Sequence, residues 1–121
     1  MINVKDQVYH ALSAITENVS DLYPQTWTVL PAIQYTEEEN CVYTKTDEKE
    51  QYSYLRYRIE IWDTTSTSPT ALDVDEAVSA LGLTRTACQD VADPTGMRHK
   101  VMRYEGVIDV NTQVVYWDGS R

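Results

Sequence analysis

Few residues in this chain could organise chemistry, and their spacing settles most of them. The two histidines are His10 and His99. His10 stands three residues before Ser13 on a helical stretch, but no local acid orients the imidazole as a Ser-His-acid relay requires. His99 lies between Arg98 and Lys100 on an extended run and reads as part of a basic surface patch. Asp73-Val74-Asp75-Glu76 reads as the first turn of a helix, where the macrodipole favours acids without any metal. Glu37-Glu38-Glu39 could weakly attract a cation, but consecutive residues on an exposed arm do not make an oxygen cage. Cys41 and Cys88 lack both CxxC spacing and a neighbouring histidine. They read as free or buried thiols in a reducing compartment rather than zinc ligands. The four glycines are isolated, so no phosphate-cradling loop is present. No pattern points to a carboxylate pair for glycoside chemistry. No catalytic, cofactor-binding or metal-binding residue is assigned, and the expectation is a protein that is not an enzyme and needs no cofactor.

Those residues sit in 121 positions, the length of one domain with room for a real core. Nineteen acids against ten basic residues give a net charge of −9. The excess is spread evenly, with ten acids against five bases in residues 1–60 and nine against five in residues 61–121. No basic stretch offers the phosphate neutralisation that tight nucleic-acid binding needs, and attraction to anionic lipid is disfavoured for the same reason. No apolar run approaches the ~18 residues of a membrane helix. Residues 1–5 do not read as a signal peptide, which makes the acceptor triplet Asn18-Val19-Ser20 a chance match. Nine tyrosines and three tryptophans with no phenylalanine favour half-buried surfaces, where an apolar body carries a polar handle.

The elements that must position these residues follow from periodicity. Val4, Val8, Ala11, Leu12, Ile15 and Val19 recur at helical spacing, with Asn3 as cap and Tyr23-Pro24 as stop. Trp27 to Tyr35 reads as extended, with Pro31 marking an edge or break. Residues 36–50 hold six acids against two lysines and read as an acidic hairpin arm or a long loop. In the next run Ser53, Leu55, Tyr57, Ile59 and Ile61 alternate with Tyr52, Tyr54, Arg56, Arg58, Glu60 and Trp62. The first set suits a core. The second suits partly wet contact with a neighbour. A turn-rich stretch (63–69) leads to a helix carrying Val74, Ala77, Val78 and Leu81, with Thr70 and Asp73 as a capping box and Gly82 as its left-handed end. Strands are expected at Leu83 to Val91, at Val101 to Val110 with Met102, Tyr104, Gly106 and Ile108 on one side, and at Val114 to Trp117. Asp93-Pro94-Thr95-Gly96 turns between the first two, and Asn111-Thr112 before the last. The order helix, two strands, helix, three strands predicts a single α+β domain with a mostly antiparallel sheet and two helices on one face.

Several phrases in this order, LPAIQYTEEEN, LRYRIEIWD, a helix ending in LGL, DPTGMRHKVMRYEGVID and TQVVYW, resemble the tail terminator (tail completion) proteins of long-tailed bacteriophages and prophages. The resemblance runs from Val4 to Trp117 and rests on element order and short phrases, since that family has no catalytic signature. It implies a structural virion protein in the tail and neck region, assembled in the host cytoplasm. Its partners would be further copies of itself in a ring, usually a hexamer, the major tail tube protein and a head-tail connector. DNA would pass through the ring without specific binding, and no membrane would be involved. On this reading Tyr52, Tyr54, Arg56, Arg58 and Trp62 contribute to a subunit or tube interface. The acidic arm, with Glu37, Glu38, Glu39, Asp47, Glu48 and Glu50, lies in or near the DNA channel. A repulsive lining would let phosphates slide. The alternatives are another neck or head-completion protein, or a small host adaptor domain that binds a protein partner.

Overall fold

The computed structural model describes residues 3–46, 49–110 and 115–117. Along the chain run α1 (Lys5–Ser13), β1 (Val19–Ser20), β2 (Ala32–Thr46), β3 (Lys49–Asp63), α2 (Ser68–Ser79), β4 (Thr84–Val91), β5 (Arg98–Asp109) and β6 (Val115–Trp117). The strands form one sheet in the order β1-β2-β3-β5-β4, with β6 also paired to β5. Among the described residues, only the two-residue β1 pairs in parallel. The protein is an α+β domain with a mostly antiparallel sheet.

The core forms where alternation on the strands meets helical periodicity. Leu55, Tyr57, Ile59 and Ile61 of β3 and Met102, Tyr104 and Ile108 of β5 face the same way. Against them pack Val8 and Leu12 of α1 and Ala71, Val74 and Val78 of α2. Both helices therefore cover one face of the sheet. Ser53 shares the buried side of β3, as its place in the alternation predicts.

Three expectations need correction. The first helix ends at Ser13, although the apolar rhythm runs on to Val19. Beyond Ser13, Thr16 donates its hydroxyl to the Pro31 carbonyl and Asn18 donates its amide to the Thr26 and Val29 carbonyls, so these side chains brace the loop before β2. Polar side chains that bond backbone outside the helix compete with helical continuation. Val19 then belongs to β1. Asn3 does accept the Lys5 N–H, one residue outside the cap position.

The second helix starts earlier than expected, at Ser68, with Pro69 in its first turn. Thr70 and Asp73 are thus inside the helix, and the Asp73–Glu76 acids are not in its first turn. Pro fits the first helical positions because its missing N–H is unpaired there anyway. Gly82 does end the helix region at φ +95°. Extended structure around Trp27 begins only at Ala32. Of residues 36–50, read as a hairpin arm or a loop, 36–46 lie on β2 and 49–50 on β3, with pairing that continues to Thr46 opposite Lys49. Asp47, Glu48 and the Asn111-Thr112 turn lie outside the described residues.

Candidate interaction face

The sheet face away from the helices carries the second half of each alternation. On β3 it presents Tyr54, Arg56, Arg58 and Glu60, and on β5 His99, Arg103 and Glu105, brought opposite them by the register Trp62↔His99, Arg58↔Arg103 and Arg56↔Glu105. From β2 comes Glu38. It sits in an irregularity of the pairing between Glu37 and Glu39, where two β2 residues oppose Arg56. Such a bulge re-aims side chains that strict alternation would separate. Glu37 keeps to the helix side and accepts the hydroxyl of buried Tyr57 at 2.7 Å. Glu38 and Glu39 both turn to Arg56, at 3.1 and 3.2 Å.

Glu38 is the centre of the face. Its two carboxylate oxygens accept from Arg56 Nε, Arg58 Nη1 at 3.0 Å and Arg103 Nε at 3.0 Å. Its side chain is only 14% exposed. Burial disfavours its charge, but the hydrogen bond and charge of Arg103, with Arg56 and Arg58, outweigh that and hold its carboxyl below the usual carboxylate range. The network extends both ways. Arg58 donates to Glu60 at 3.2 Å, and Glu60 meets His99 Nε2 at 3.0 Å. Tyr54 donates its hydroxyl to Glu105. Burial and that carboxylate push the Tyr54 phenol up to about 12.

One end of the face is closed by aromatic rings. Trp62 stacks on His99 at 4.4 Å, and Tyr23 and Trp27 meet it edge-on at 5.5 and 6.0 Å. Its indole N–H points to Asp93 at 3.3 Å. The Asp93 carboxyl is held below its usual range, first by the Thr95 hydroxyl, against some burial, and then by Trp62 and His99.

The residues singled out from sequence therefore divide. Tyr54, Arg56 and Arg58 stand together on the open face, and Tyr52 precedes them on the same side of β3. Trp62 follows the same alternation but is buried under the chain's own Tyr23 and Trp27, so its ring is used internally. Glu37, Glu38 and Glu39 are split between two faces and paired, not displayed as a free acidic run. Glu50 stands opposite Lys45 in the backbone register of β2 and β3. His99 is no solvated basic patch, because its side chain is 11% exposed between Glu60 and Trp62. Arg103, Glu105 and His99 were missed as partners of the face. The signal was present: they occupy the β5 positions that alternate with Met102, Tyr104 and Ile108. Asp75, in the middle of α2, accepts the hydroxyl of buried Tyr104 and pairs with Arg85.

Chemically the face is a balanced ionic surface. Three arginines meet four glutamates (Glu38, Glu39, Glu60 and Glu105), so the chain's −9 resides almost wholly elsewhere. Among the described residues no group of His, Cys, Asp and Glu is placed to hold a metal. Both cysteines are exposed thiols. Among the described residues no helix is long and apolar enough to cross a membrane. The chain matches no protein-family model and no curated protein.

Proposed function

We propose that this protein is a structural subunit of a long-tailed phage or prophage, a tail terminator that caps the tail tube as a homo-oligomeric ring and joins it to the head. The observation that carries the reading is the open sheet face. Its helix-covered side supplies the core, while the other side keeps an array of arginine, tyrosine and glutamate between one-tenth and one-half exposed. Arginine and tyrosine are the residues enriched where protein surfaces join. The resemblance in element order and phrases supplies the assembly: a ring, hexameric in the family, with the tube protein on one side and a connector on the other. DNA threads the channel without being gripped, a task for which a chain of −9 is suited.

The test is to mix the purified chain with polymerised tail tube protein and, separately, with connector rings, and to image the products. Density at tube ends is the expected result. Binding to the connector alone would make it a head-completion protein instead, and binding to neither would overturn the reading.

A further inference from the structure

β1 pairs with β2 only at Ile33 and Gln34, so over residues 35–46 no strand covers the outer edge of β2 among the described residues. β4 forms the opposite edge of the sheet. We propose that these two edges join copies of this chain, with β2 of one copy adding as a strand to β4 of the next. The inference rests on the ring reading above and assigns its subunit joint.

Apolar exposure marks the β2 edge. Among the described residues seven large apolar side chains are exposed. Five of them, Leu22, Tyr23, Val29, Val42 and Tyr43, lie on β2 or in the loop that leads into it from β1. Cys41 beside them is exposed as well. Edge strands that must stay alone are guarded by charge or proline, and residues 40–43 carry neither. On β4 the two charges are engaged within the copy, Arg85 with Asp75 at 3.1 Å and Asp90 with Lys100 at 2.9 Å. Ala87, Cys88 and Gln89 between them are uncharged.

Direction and alternation select the partner and its register. Neighbouring strands run in opposite directions from β2 through β3 and β5 to β4. A second copy set alongside, with its helices on the same side, therefore presents β2 antiparallel to β4, and the antiparallel order continues across the joint. Irregularities in the pairing leave residues 39–42 of β2 and 87–91 of β4 as regular strand. Residues opposite each other across a joint must point to the same side. Cys41, opposite Tyr54, and Gln89, opposite Val101, belong to the open side. Val42, opposite Ser53, and Cys88, opposite Met102, belong to the helix side. Setting Cys41 against Gln89 and Val42 against Cys88 satisfies both conditions and aligns residues 39–42 with residues 91–88. Each copy then uses two different edges, which is the heterologous contact that builds rings instead of stopping at a dimer.

The test is cross-linking of the full chain carrying Cys88→Ser and Gln89→Cys, which leaves thiols at Cys41 and at position 89. Within one copy these positions are about 25 Å apart, from three strand spacings and an offset of six residues along β5. A short bismaleimide therefore links only different copies. Samples assembled at tail tube ends are imaged for rings, then cross-linked and separated under denaturing conditions. A ladder of covalent species up to the full ring is expected, and Cys41→Ser in the same background should abolish it. Imaged rings that yield no links would overturn the edge joint and leave the ring reading standing. Links that stop at a dimer, or that survive Cys41→Ser, would overturn it in favour of a two-fold contact. Failure to form rings at all would overturn the ring reading and this inference together.

Discussion

The two faces of the sheet are built from the same strands by the same alternation, yet they hold themselves together by different physics. On the helix side Leu55, Tyr57, Ile59 and Ile61 are fully buried against α1 and α2, and each loses contacts directly if shortened. On the open side Arg56, Arg58 and Arg103 are each about a third exposed and share one carboxylate. Apolar burial is non-directional and large, whereas ion pairs near water are geometrically exacting and individually weak. Stability therefore resides in the covered face. The open face instead specifies geometry: Glu38 fixes where three arginines stand, so the surface is preformed.

The largest effect should come from the covered face. Ile59→Ala removes a side chain with no exposure, and a denaturant melt should show a loss of about 2–5 kcal/mol, enough to threaten so small a domain. Next comes Glu38→Gln, which leaves three guanidiniums with a weaker acceptor. About 1–2 kcal/mol is expected, discounted from a buried pair because the arginines are partly solvated.

The same variant tests a pH dependence. The Glu38 carboxyl is held below its ordinary 4.5 when folded, so its contribution is complete above that value and is lost as the pH falls through the folded one. The melting temperature of the wild type should therefore fall more steeply below pH 4.5 than that of Glu38→Gln. Parallel acid limbs would remove Glu38 from its central place.

A smaller effect, about 1 kcal/mol, is expected for Tyr104→Phe, because Asp75 keeps Arg85 and is not orphaned. Smallest is Leu72→Ser on the outer side of α2, where the side chain is 73% exposed and the change should be within about 0.5 kcal/mol. It serves as the control for every assembly experiment.

Much of the covered face was legible in the sequence because alternation is a local signal. Ser53 to Ile61 and Met102 to Ile108 fall inward as their spacing requires. The turn at Asp93 and the end of α2 at Gly82 rest on local backbone chemistry and were legible too. The centre of the open face was not, because Glu38 and Arg103 are 65 residues apart and meet only through the pairing of three strands. A bulge at Glu38, which no local pattern announces, decides that two glutamates rather than one face Arg56. The length of α1 failed for a related reason. Ile15 and Val19 keep helical rhythm, but the destinations of the Thr16 and Asn18 side chains lie in a loop more than ten residues away in the cases of Pro31 and Val29.

The two-face account also alters how the open face should be probed. Reversing Arg56 and Arg58 to glutamate, which looks harmless for exposed residues, would place new carboxylates around Glu38 and disturb the fold along with any joint. A labelling experiment avoids that confusion. Hydroxyl-radical footprinting of the wild type, alone and bound to tail tube, reads both faces at once. Tyr54 on the open face should lose reactivity in the complex, while Tyr9 on α1 and Leu72 on α2, both exposed in the free chain, should keep theirs. Shielding of Tyr9 or Leu72 with Tyr54 unchanged would contradict the account, because the partner would then sit on the helices and the charged sheet face would be only surface.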